Sequence, residues 1–124
     1  MSNYNIFHDA EIDSLSFKKE ESSLLISGIL DTKSTFIIKL KAVWWELSPF
    51  DIQNVIFELN EYEFINLPQY LLEEFELQKL IFENKKQLKI LEIDASVGLR
   101  GCVVFEKIEI IVNGVTNGRV NEIA

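Results

Sequence analysis

The sequence predicts an α+β domain that is mostly antiparallel β: about six strands in a folded or sandwich-like sheet, with one helix near residues 68–78. Three observations carry this. Apolar and polar residues alternate with a period of two along most of the chain, in runs separated by short polar turns. Only the stretch after Asn66-Leu67-Pro68 places its apolar residues at helical spacing. The last strands carry apolar residues on both faces, as in Val103-Val104-Phe105 and Ile110-Ile111-Val112, so they need two covering layers.

Taken in order, Tyr4, Ile6 and Phe7 form a short apolar anchor ahead of a polar turn at His8-Asp9-Ala10. A first strand is expected over Glu11–Lys18 and a second over Ser22–Leu30, where Leu24, Ile26 and Gly28 oppose Leu25, Ser27 and Ile29. The longest strand runs from Ser34 to Glu46. It is rich in β-branched and aromatic residues, with Lys39 and Lys41 on one face and Ile38 and Leu40 on the other. Pro49 ends it, because proline has no N–H to give a ladder. Strand character resumes over Ile52–Leu59 and either continues or leaves the sheet through Phe64.

Asn66 is placed to cap a helix whose first turn holds Pro68. Tyr70, Leu71, Phe75, Leu77, Ile81 and Phe82 share one arc of that helix, which is expected to reach about Gln78. Lys79 to Asn84 reads equally as more helix or as a strand. Leu88–Ala95 and Cys102–Val112 are the closing antiparallel pair, joined by the glycine-punctuated turn Ser96–Gly101. From Asn113 on, two Asn-Gly pairs indicate a weak terminal hairpin or a frayed end.

The 124 residues suffice for one domain with a core and are too few for two. A single cysteine excludes an internal disulfide. The N-terminus lacks the basic and apolar regions of a signal peptide, and no apolar run is long enough to span a bilayer, so a cytoplasmic location and no membrane association are expected. The net charge of −8 argues against nucleic acid as a partner, because phosphates repel such a surface.

That charge is unevenly placed. Glu46, Asp51, Glu58, Glu61, Glu63, Glu73, Glu74 and Glu76 fall between Glu46 and Gln78, a stretch without Lys or Arg. The remaining acids balance all the basic residues. A solvated face accounts for this distribution, and so does a docking surface for a basic protein. Trp44 and Trp45 must face opposite sides of a strand that runs through them, so one of the two needs a second layer, a groove or a partner.

Chemistry-bearing candidates are few. His8, the only histidine, adjoins Asp9, the residue types of a base oriented by a carboxylate. No second histidine, nucleophile motif or oxyanion loop accompanies them, and a turn or cap is the plainer role. His8 and Cys102 lack the close spacing of zinc ligands, and Asp51, Glu58 and Glu61 do not form a calcium loop. No cofactor or metal is therefore expected.

Three short motifs, Phe7-His8-Asp9-Ala10-Glu11, Gln53-Asn54-Val55-Ile56, and Ile93-Asp94-Ala95-Ser96 with Gly98, resemble in order and spacing a group of small bacterial proteins. Some of that group resemble immunity proteins encoded beside bacterial toxins. The resemblance implies a bacterial, cytoplasmic setting and protein binding, and supplies no active site. The expectation is thus a non-enzymatic module for a basic protein partner, as monomer or homodimer. The alternatives are a small hydrolase or isomerase using His8 and Asp9, and a small-molecule binder closed over the aromatic core.

Overall fold

The computed structural model of the chain describes residues 4–77, 87–113 and 115–116, the last two by backbone alone. Its strands are β1 (Glu11–Lys18), β2 (Ser23–Ile29), β3 (Thr35–Leu47), β4 (Val55–Glu63), β5 (Lys89–Val97), β6 (Gly101–Val112) and the short β7 (Val115–Thr116). Among the described residues the one α-helix, α1, spans Gln69–Glu74. The antiparallel sheet and the short helix of the described residues agree with the expected α+β class.

Every neighbouring pair of strands is antiparallel, in the order β3-β2-β1-β4-β5-β6-β7, and β6 also pairs with β3. That extra pairing is long, from Phe36 opposite Val112 to Leu47 opposite Gly101. It closes the first six strands into a barrel, which leaves few free edges. The period-two pattern explains why closure works. Ile38, Leu40 and Ala42 of β3 point into a core with Leu24 and Ile26, Ile56 and Leu59, Leu91 and Ile93, and Val103 and Phe105. On the outer face Lys39 pairs with Glu21 at 3.2 Å and Lys41 with Glu106 at 3.4 Å.

The seam between β1 and β4 is the exception. Only Glu11 and Val55 are laddered there. The N-terminal segment fills the rest of it. Asp9 N–H donates to the Ile56 carbonyl, Ile56 N–H to that of Ala10, and Ile12 N–H to that of Asn54. A 3₁₀ turn at Asn5–Phe7 then drops Phe7 into the core, edge-on to Phe36 at 5.1 Å, and the Tyr4 hydroxyl donates to Glu61.

A second apolar cluster lies on the outer face of β4, β5 and β6: Phe64, Leu71, Leu77, Leu88, Ile90, Cys102 and Val104, with Trp44, Tyr62, Leu67, Leu72 and Phe75 packed against it. This is the second layer that the two-faced apolar strands require.

The details of several elements differ from the sequence reading. α1 is shorter than residues 68–78, and Asn66 does not cap it. Asn66 sits in a 3₁₀ turn (Phe64–Asn66) with its amide on Glu63, while Pro68 takes the N-cap position without a side-chain bond. The helix stops because Phe75 leaves helical geometry and Glu76 adopts a left-handed φ of 53°. β4 begins at Val55, not Ile52, because the Asn54 side chain folds residues 51–54 into a turn. It continues to Glu63, which settles where that strand ends. The helix-or-strand alternative over residues 79–84 lies outside the described residues.

Candidate binding face

Facing residues of paired strands point to the same side, so the register assembles the outer surface directly. Trp44 lies opposite Val104, and Val104 opposite Ile90, which faces Tyr62. One step along the strands, Glu46 lies opposite Cys102, Cys102 opposite Glu92, and Glu92 opposite Asn60. A further step pairs Glu58 with Asp94. An apolar row under α1 therefore borders a row of carboxylates, with Tyr70 of α1 at the boundary. The Tyr70 hydroxyl donates to Glu92 at 2.8 Å and lies 3.2 Å from the Tyr62 hydroxyl, while the Asn60 amide reaches Glu92 at 3.3 Å. The half-exposed phenol of Tyr70 is pushed up in pKa by desolvation first, then by its bonds to Tyr62 and Glu92.

Beneath this row, burial pushes the Cys102 thiol up to about 12, and the charges of Glu46, Glu92 and Glu74 add to it. The thiol therefore stays protonated and acts as a small apolar filler. Among the described residues the one cation in ion-pair reach of the row is Arg100, 3.8 Å from Asp94. The carboxylates are spread along the face: no three described His, Cys, Asp or Glu groups gather to hold a metal ion.

The acid-only stretch of the sequence is thus divided by the fold. Glu46 and Glu58 join the outer row, together with Glu92 and Asp94, which lie outside that stretch, while Glu74 is exposed on α1. Glu61 does not join it: half-buried, it accepts the Tyr4 hydroxyl and an ion pair from Lys89 at 3.1 Å, and is part of the framework. Glu63 accepts from Asn66, and Glu73 from Gln69. Asp51 lies in the β3–β4 loop, where its carboxylate takes the Ile52 N–H. Glu76 is exposed just beyond the helix. Glu92 and Asp94 were findable from sequence, since they alternate in step with Ile90.

The two tryptophans separate as strand geometry demands. Trp44 is half-buried against the helix cluster. Trp45, opposite Val103, faces the concave side, 36% exposed, with its ring 4.9 Å from that of Phe17.

His8 is exposed and borders a shallow pocket of about 200 Å³ lined by Tyr4, Asn5, Phe57, Glu58 and Leu59. Its Nδ1–H donates to the Phe57 carbonyl at 2.6 Å, its ring stands edge-on to Phe57 at 5.5 Å, and Nε2 lies 3.8 Å from the Asp9 carboxylate. The pocket lining offers no serine, threonine or cysteine nucleophile, and its only hydroxyl, on Tyr4, is bonded to Glu61.

The Phe57 carbonyl, then the charge of Asp9, raise the pKa of His8 above its ordinary value against an opposing desolvation, with Asp31 and Glu58 adding less. A raised folded-state pKa adds stability fully present below the unfolded value of about 6.5 and lost as pH climbs through the folded value. An NMR titration is expected to place the His8 midpoint above 6.5, and His8→Ala to remove the matching slope in melting temperature. A midpoint at or below the free-imidazole value would contradict the bond to Phe57.

No protein-family model, curated protein or solved structure matches this chain. Among the described residues no helix is long and apolar enough to cross a membrane.

Proposed function

We propose that this protein is a non-enzymatic binding module that captures a basic protein on the outer face formed by Glu46, Glu58, Glu92, Asp94 and Glu74, bordered by Trp44, Tyr62 and Tyr70. A toxin neutralised by an immunity protein is a partner of this kind. One observation carries the reading: Glu58 and Asp94 are a directly facing pair of like charges, and Glu46 and Glu92 flank Cys102 in the adjacent row. Facing like charges destabilise a sheet, so a purely structural surface gains nothing from them. A cationic partner converts that repulsion into attraction, speeds encounter and makes binding salt-sensitive. The neighbouring aromatic groups supply the apolar contact that charge alone lacks.

The competing enzyme reading rests on His8 with Asp9, and the pocket beside His8 brings no serine, threonine or cysteine nucleophile to them. Small-molecule binding inside the barrel meets a filled interior, where Phe7, Phe36 and Phe105 are fully buried.

The test is capture from the native host at low and moderate salt, with wild type beside the triple variant E46K/E92K/D94K. A basic protein retained at low salt, weakened by moderate salt and lost by about 100-fold or more in the variant is the expected result. If nothing is retained at low salt, or the charge-reversed face binds as well as wild type, the proposal fails. Circular dichroism of the variant guards against a folding artefact.

A further inference from the structure

β4 breaks its ladder at one residue, and the break sets an aromatic ring beside a carboxylate. Its register on β5 passes from Ile56 opposite Ala95 to Glu58 opposite Asp94, so Phe57 has no partner there. A bulge of this kind re-aims side chains and bends the strand. Between the buried Ile56 and Leu59, Phe57 and Glu58 are accordingly both exposed, Phe57 to 48%. His8 turns onto the bulge from the N-terminal segment, with its Nδ1–H on the Phe57 carbonyl. With Tyr4, Asn5 and Leu59, these three residues line the shallow cavity of about 200 Å³.

We infer that this cavity is an anchor pocket for one arginine side chain of the partner, held by the Glu58 carboxylate and the ring of Phe57. The pocket deepens the proposed function and rests on it, because Glu58 also belongs to the acidic row. Among the described residues no cation is within ion-pair reach of Glu58, and Arg100 lies on Asp94. An open ring beside an unneutralised carboxylate suits a cation that is also planar. A guanidinium stacks on the ring and pairs bidentately with the carboxylate, which an ammonium does not. At about 200 Å³ the cavity is smaller than the roughly 300–1,000 Å³ of pockets for drug-sized ligands, and it suits a single side chain.

His8 reports occupancy. The carboxylates acting on it are Asp9 beside it, Asp31 in the β2–β3 turn and Glu58 on β4, and Tyr4 lines the same cavity. A guanidinium seated against Glu58 repels the imidazolium, so the ligand lowers the His8 midpoint. By linkage, protonation of His8 weakens the ligand by the same factor. Binding is thus strongest above the His8 midpoint and falls as the ring gains its proton. An uncharged ligand of the same shape leaves the midpoint in place.

NMR titration of the full chain with N-acetyl-arginine amide tests the pocket, with N-acetyl-citrulline amide as the uncharged isostere. Saturable shifts centred on His8, Phe57 and Glu58 are expected from the arginine probe, together with a lowered His8 midpoint. The citrulline probe gives neither. Phe57→Ala and Glu58→Gln, both at exposed positions, are expected to weaken binding about fivefold or more. The pocket is overturned by the absence of saturable shifts, by shifts spread evenly over the carboxylates of the face, or by equal binding of citrulline. An unmoved His8 midpoint overturns it too, as do variants that bind as well as wild type. The two readings fail separately. A basic protein captured by a chain that ignores the arginine probe sinks the pocket alone, and arginine binding with no protein captured sinks the face alone.

Discussion

Phe7→Ala is expected to lower the unfolding free energy by about 3–5 kcal/mol, the usual cost of emptying a fully buried aromatic site. Phe7 has no exposed surface, and its ring meets Phe36 edge-on and Tyr4 at 6.3 Å. The expected loss has a second source beyond the cavity. β1 and β4 share a single laddered pair, so what closes the barrel along β4 is the N-terminal segment that Phe7 holds in place. With Phe7 gone, the bonds of Asp9 and Ala10 to Ile56 and of Tyr4 to Glu61 lose their anchor. Phe7→Leu keeps most of the apolar volume and is expected to cost under about 1.5 kcal/mol. Urea unfolding measures both, with an unchanged slope identifying a stability effect. A Phe7→Ala cost below about 1 kcal/mol would show that the segment is not part of the barrel.

How far the fold could be read in advance follows from what alternation encodes. The period-two pattern says which residues are buried, and β1, β2, β3, β5 and β6 begin and end within two residues of the expected positions. It does not say against which strand a face is buried. The pairing of β3 with β6, which closes the sheet, joins segments distant in sequence and leaves no local mark. Two-sided apolar character in β6 did announce a second layer, and α1 with its flanking residues provides it.

The candidate face was legible in part for a similar reason. Nearness in sequence grouped eight acids, but the fold groups by register. Glu61 turns into a framework network with Tyr4 and Lys89, while Glu92 and Asp94 arrive from β5. Short helix ends were the least legible: the left-handed turn at Glu76 carries no glycine to signal it. The three motifs behind the resemblance also find a physical role. Asp9 and Ala10 bond to the backbone of Ile56 and Glu11 is laddered with Val55, and the Asn54 side chain reaches the turn after Ser96, so all three meet at the barrel seam.

At that seam Asn54→Ala is expected to cost about 3 kcal/mol, and the accounting is local. The buried Asn54 Oδ1 accepts two backbone N–H groups, from Asp51 and from Leu99, each at 2.9 Å, and its Nδ2 donates to the Asp51 carbonyl at 3.0 Å. One side chain thus shapes the β3–β4 loop and ties it to the β5–β6 turn. Alanine leaves the Leu99 N–H, which is buried, without its partner, at about 1–3 kcal/mol, and frees the Asp51 turn to open to water at less. Asn54→Asp keeps the acceptor for both N–H groups, loses only the Nδ2 donor, and is expected to retain more stability than alanine. Gly98 completes the clasp. Its φ is 84°, and a Cβ there would lie 2.4 Å from both Asn54 Oδ1 and the Gln53 carbonyl. Gly98→Ala therefore strains the turn and displaces the Asn54 side chain, so the two substitutions act on one unit and their costs must not add. A double-mutant cycle by chemical denaturation reads this: Asn54→Ala with Gly98→Ala should fall short of the summed single losses by about 1 kcal/mol or more. Additive losses would mean that Gly98 is confined by its backbone conformation and Gln53 alone, and that Asn54 holds the loops together without it.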